Sequence, residues 1–201
     1  MKRLIAVMVL TSATATQWAR ADLIQYQISG VGEGTLGNTF FFQVPFTVSA
    51  VADTSQIEQV DSQTFQVQAL PGAQISVPGF GAGTLSGPVY IWAINEINAG
   101  RWANSGQNIT TGEWDDLASM DSFDASVAAY DLRTPIGPYH GQALVTWGVG
   151  PFATSAGDFN LYYWSTAVFQ SIAVPEPTLP SLLALCAVAT MFKRLQLPQT
   201  R

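Results

Sequence analysis

Phe40-Phe41-Phe42-Gln43-Val44-Pro45-Phe46-Thr47-Val48 is the stretch whose reading decides the fold. Its apolar residues fall at Phe40, Phe42, Val44, Phe46 and Val48, a period of two that marks a long, half-buried strand. Pro45 cannot donate to a ladder, so this strand is expected at an edge, or bulged there. Upstream, Ile24, Tyr26 and Ile28 alternate with Gln25, Gln27 and Ser29 in the same way. Between the two, Gly30–Gly37 reads as a glycine-punctuated turn. A lone GxGxxG match, Gly32 to Gly37, lies inside it but opens no helix, which excludes a dinucleotide reading.

Further strands follow downstream. Phe65 with Val67, and Ile75 with Val77 before Pro78-Gly79, mark two of them. Val89–Ile94 is apolar on both faces, as a central strand would be. Ala143–Trp147, Phe159–Tyr163 and Thr166–Ile172 complete the set, separated by clusters of Gly, Pro and Ser. About eight short strands without a convincing amphipathic helix predict an all-β domain. The expected form is an antiparallel β-sandwich, jelly-roll-like or a flattened barrel. A short helix within Asp115–Tyr130, through Leu117, Met120 and Phe123, is the one local exception weighed. No repeat of fixed period appears.

The ends have a different composition. Lys2-Arg3, the apolar run Leu4–Leu10 and the small-x-small site Ala19-Arg20-Ala21 lay out a secretory signal over residues 1–21. Ala13-Thr14-Ala15 is a second candidate cleavage site. The body is then 22–173. The tail, 174–201, holds Val174-Pro175-Glu176-Pro177, an apolar run to Phe192 and the basic pair Lys193-Arg194. Pro175 and Pro177 bias the residues before them toward extended backbone, as a protease needs. Thr178–Phe192 as a helix would rise about 22 Å. The hydrocarbon core is about 30 Å thick, so this membrane helix spans only with local thinning or snorkelling of Lys193 and Arg194. The same two charges act as a membrane stop on the cytoplasmic side and leave the body outside. The competing reading is a buried C-terminal helix of a soluble domain.

Stripped of its ends, the body carries thirteen carboxylates against Arg101 and Arg133, a net charge of −11. Such a surface repels phosphate backbones, so nucleic acid is not an expected partner. Cys186 lies in the tail, so the body has no disulfide and no thiol nucleophile. Its one histidine, His140, sits in a Pro-Tyr-His-Gly turn as an exposed residue. No G-x-S-x-G elbow or HExxH is present. A glycosidase pair needs two carboxylates about 5–10 Å apart, which linear spacing does not reveal. No catalytic residue, cofactor or metal is assigned.

The stretch Asn95–Asp124 reads as a long polar loop, rich in Asn and Asp. Trp102, Asn104, Trp114 and Asp115 put indole faces beside a carboxamide and a carboxylate, which is sugar-binding chemistry. The plainer reading, which carries more weight, is that both tryptophans cover one end of the core. Asp115, Asp116, Asp121 and Asp124 match no EF-hand loop and read first as a solvated acidic face.

The proline-bracketed acid, apolar run and basic stop together resemble the PEP-CTERM sorting signal. That resemblance implies an exosortase as partner, transient residence in the inner membrane, and cutting near the motif. It also implies a bacterial host that makes exopolysaccharide. The apolar run is shorter than usual, and Leu195–Arg201 continues past the basic pair. The body is similar to a common PEP-CTERM body type in residues 47–54, 130–138 and 152–158. That type carries no assigned activity. The expectation is an exported, non-enzymatic surface or extracellular-matrix protein, structural or adhesive in a polysaccharide-rich biofilm matrix. The alternatives are a carbohydrate-active enzyme or a calcium-dependent glycan-binding module.

Overall fold

The computed structural model describes residues 23–96, 99–107, 110, 112, 114–124, 127–144 and 149–175. The expected signal peptide, the tail from Glu176 onward with its membrane helix and basic stop, and most of Ala143–Trp147 lie outside the described residues. Among the described residues no helix is long and apolar enough to cross a membrane. All described residues but Pro175 belong to one compact unit, Asp22–Val174.

Among the described residues, twelve strands run in order: β1 Leu23–Leu36, β2 Thr39–Asp53, β3 Glu58–Gln59, β4 Thr64–Gln68, β5 Gln74–Val77 and β6 Gly81–Thr84. Then come β7 Val89–Glu96, β8 Ala99–Gln107, β9 Trp114–Ser122, β10 Ile136–Ala143, β11 Val149–Thr154 and β12 Gly157–Ala173. They form one antiparallel sheet in the order β3-β4-β7-β8-β9-β10-β12-β1-β2-β5-β6, curled into a half-barrel. The all-β, antiparallel expectation therefore holds. β12 is long enough to take β1 along one side, and β10 and then β11 along the other. A bond from Leu70 N to Val51 O ties the end of β4 to β2 across the curl.

Burial decides which face of each strand is inside. β1 alternates without a break from Leu23 to Leu36, with Ile24, Tyr26 and Ile28 inward as expected. The same phase then carries Gly30, Gly32 and Gly34 inward, so Gly30–Leu36 is strand and not the expected turn. The glycines serve packing. A Cβ on Gly30 would stand 2.5 Å from Cε3 of Trp164, and one on Gly32 would stand 3.0 Å from Cβ of Trp164. The bare backbone is the floor on which that indole lies, with Phe46 edge-on to it at 5.4 Å.

β2 corrects the opening reading. Phe46, Val48, Ala50 and Ala52 are buried on even positions, but before them the buried residue is Phe41. Phe40 and Phe42 are exposed, 55% and 57%. The ladder explains the slip. Gly32 faces Val44 and Gly34 faces Phe41, so β2 holds one extra residue there, a β-bulge, with Gln43 at φ 52. One extra residue reverses every side chain beyond it. Pro45 lies beyond the reach of β5, which pairs only with Thr47–Ser49, so its edge position is as expected.

Asn95–Asp124 is likewise not a loop. It is largely the pair β8 and β9, and the weighed helix from Asp115 is strand β9. Phe159–Tyr163 and Thr166–Ile172 are one strand, β12. His140 is exposed as expected, but on strand β10 rather than in a turn.

The segment 130–136 fastens the sheet from inside. Ser171 Oγ accepts from Ile136 N at 2.9 Å and donates to Thr134 O, and Tyr130 meets the same hydroxyl at 2.9 Å. Tyr26 donates to Leu132 O at 2.6 Å. Arg133 reaches Thr54 O and Ile57 O, which binds segment 130–136 to the end of β2. Burial raises both phenols well above the ordinary tyrosine value of 10.0; at Tyr26 the neighbouring Tyr130 and Asp131 add to it. The fold thus keeps both protonated, while the unfolded chain ionises near pH 10. Their contribution is complete below that pH and is lost as pH climbs above it. The urea midpoint is expected to fall steeply between about pH 10 and pH 11, and less steeply in Tyr26→Phe. Equal slopes for the two proteins would rule out Tyr26 as a cause.

Candidate functional site

The adjacent strands β12, β1 and β2 do not keep a flat outer face. β12 also carries extra residues relative to β1, around Tyr162 and around Thr166. Thr166 is held at φ 52, uncommon for a β-branched residue. With the bulge at Gln43, three irregularities surround one short piece of β1, Val31–Gly34. Bulges re-aim side chains and gather beside functional sites.

Here they open a cleft of about 420 Å³ on the outer face. Glu33 stands at its centre, directly opposite Tyr163 on β12 and beside the Phe42–Gln43 bulge on β2. Val31 and Ser165, a second facing pair, close one end, and Gly32 lies in the floor. The two walls are two strand spacings apart, about 10 Å. Phe42 and Tyr163 are 57% and 45% exposed, and Tyr162 and Phe40 extend the aromatic surface. Among the described residues, nothing is hydrogen-bonded or ion-paired to the side chains of Glu33, Gln43 or Ser165. The cleft therefore offers two aromatic rings, one carboxylate, one carboxamide and one aliphatic hydroxyl to a ligand.

The residues picked out for a sugar site lie elsewhere. Trp102 and Asn104 are on β8, facing Met120 and Ala118; Trp114 and Asp115 open β9, facing Gln107 and Gly106. Trp114 and Asp115 are thus neighbours, while Trp102 sits five ladder positions away, about 17 Å. Among the described residues, no three of His, Cys, Asp and Glu are grouped to hold a metal ion. Of the sorting motif, Val174 and Pro175 are described; Glu176 and Pro177 are not.

The linear pattern hides the cleft because it turns Phe40 and Phe42 inward, where the structure leaves them exposed. A signal was present nonetheless. Phe40-Phe41-Phe42 and Tyr162-Tyr163 are runs of adjacent aromatics, and a strand sends neighbours to opposite faces. Each run must put at least one ring outside.

The body defines an all-β protein with an aromatic cleft on the outside of a curled sheet. Compared with protein-family models, curated proteins and solved structures, the chain matches none.

Proposed function

We propose that this chain is an exported bacterial protein, sorted by an exosortase through Val174–Pro177 and delivered to the cell surface or extracellular matrix. Its role there is structural or adhesive, against exopolysaccharide. In this reading residues 1–21 are a signal peptide, 178–192 a membrane helix, and the body a β-sandwich, jelly-roll-like or a flattened barrel.

The observation that carries the reading is the order of the tail: proline-bracketed acid, apolar run, basic pair. What the body adds is the place where its pairing stops. Ala173 is the last ladder residue, Val174 donates one final bond to Leu23 O, and Pro175 is exposed. A protease acting after Pro175 would leave the sheet whole. The cleft holds a single carboxylate, Glu33, where glycoside hydrolysis uses two, which favours binding over cleavage.

Intact mass of the protein from its native host, in membrane and medium fractions, is the test. A released species from near Asp22 to near Pro177 is expected. A C-terminus through Arg201 found only in the soluble fraction would end the sorting argument.

A further inference from the structure

We infer that the cleft between Phe42 and Tyr163 binds an uncharged pyranose unit of a polysaccharide, with Glu33, Gln43 and Ser165 meeting its hydroxyls. The inference deepens the adhesive half of the reading above, on which it rests, by naming the surface and the ligand chemistry. It does not depend on the sorting half.

The argument runs by the chemistry each class of ligand would leave unmet. An anionic ligand would face the Glu33 carboxylate inside a body of net charge −11, with no cation in the cleft to receive it. A purely apolar ligand would cover three polar side chains without supplying partners, and burying unpaired polar groups is unfavourable. A compact cation could sit on Phe42 and Tyr163 and pair with Glu33. It would leave the Gln43 amide without an acceptor, since an ammonium only donates. A pyranose has apolar C–H faces for the two rings and hydroxyls that both donate and accept. Those hydroxyls match an acceptor-only carboxylate, a two-way amide and a two-way hydroxyl together. Predominantly apolar walls with a few convergent polar groups make the usual small-ligand site, and about 420 Å³ lies within its range.

Geometry points the same way. The aromatic surface is a strip: Phe40 and Phe42 lie on one strand, and Tyr162 and Tyr163 two strands across. A strip with an open cleft can follow a chain of linked rings. The upper half of β2 has no strand beyond it among the described residues, so the cleft is open on that side.

The experiment uses the intact chain purified in mild detergent. Retention is measured on immobilised neutral glucan, mannan and galactan, on alginate, and in competition with benzyltrimethylammonium. Binding to at least one neutral polymer is expected. Phe42→Ala and Tyr163→Ala should each weaken it about tenfold or more, as truncating a central aromatic anchor does. Tyr163→Phe, which keeps the ring, should retain most of it, and Glu33→Gln should weaken it. Phe42 and Tyr163 are exposed, so unchanged melting temperatures are expected to accompany the loss in their variants. If neutral polymer is bound but Trp102→Ala with Trp114→Ala abolishes binding while the cleft variants do not, the assignment to this cleft is overturned and the adhesive reading stands. If no neutral polymer is retained, both fail. Displacement by benzyltrimethylammonium at lower concentration than any neutral oligosaccharide would make this a cation cage and overturn the inference.

Discussion

Gly34→Ala is expected to abolish the folded body, although alanine adds only one methyl group. A Cβ at position 34 would overlap the Asn160 carbonyl oxygen and stand 2.9 Å from Cζ of Phe41. Phe41 cannot retreat freely, being stacked on Phe159 at 6.3 Å and edge-on to Phe80 at 6.2 Å. The harder obstacle is the oxygen, because it belongs to backbone in the β1–β12 ladder. A side chain in the way can rotate; backbone can yield only by parting the two strands. Overpacking of an ordinary core site costs about 1–3 kcal/mol, and with backbone as the obstacle the upper figure is a floor. Parting β1 from β12 takes the cost above that floor and into the range of a typical domain's whole stability, about 5–15 kcal/mol, which leaves little folded protein. Gly87 has nothing within 4 Å of its would-be Cβ and is the control, with a shift within about 0.5 kcal/mol. Circular dichroism and urea melts of both variants decide the matter. If Gly34→Ala melts with Gly87→Ala, β1 does not lie against β12 as described.

Trp164→Ala carries the second largest effect, a loss of about 3–5 kcal/mol. The indole is 2% exposed and rests on Gly30 and Gly32. Its removal leaves a hole with a backbone floor, which has no side chains to fill the space. The site therefore collapses poorly, and cost rises with the cavity that remains. Trp164→Phe should be much milder. Nε1 of Trp164 is buried without a hydrogen-bond partner among the described residues, so losing the N–H forfeits no bond. The contact can also be tested from the other side. Gly30→Ala clashes with Cε3 of Trp164 at 2.5 Å and should destabilise the parent protein. In the Trp164→Ala background most of that clash is gone, leaving the 2.8 Å approach to Ser165 O. The double-mutant cycle should thus show a coupling of about 1 kcal/mol or more, with the second change partly relieving the first. Strict additivity would mean that the indole does not lie on Gly30.

Both predictions rest on the register of β1 against its neighbours, which the linear reading did not show. Alternation was followed from Phe40 to Val48 as though the strand held its phase. The extra residue at Gln43 reverses it, which buries Phe41 and exposes Phe40 and Phe42. The extra residues in β12 do the same around Tyr162 and Thr166. A bulge is a property of two strands in register, so neither strand announces it alone. The glycines of β1 were taken for a turn because glycine usually punctuates. Their use here is to admit Trp164, a residue some 130 positions away in the chain. Asn95–Asp124 was read as a loop from its polarity. Yet β8 and β9 are polar strands held by a mutual ladder, and ladder hydrogen bonds do not require apolar side chains.

Composition and short-range pattern by themselves determined the all-β class, the antiparallel arrangement, the inward row Ile24, Tyr26, Ile28, the edge position of Pro45 and the acidity of the body. Each follows from local rules: period-two burial, the missing proline N–H and a count of charges. Only the tertiary structure decided the register of β2 and β12 against β1. Register sets which ring goes inside and which stands outside beside Glu33, because one inserted residue reverses a strand and only the partner strand shows where the insertion falls.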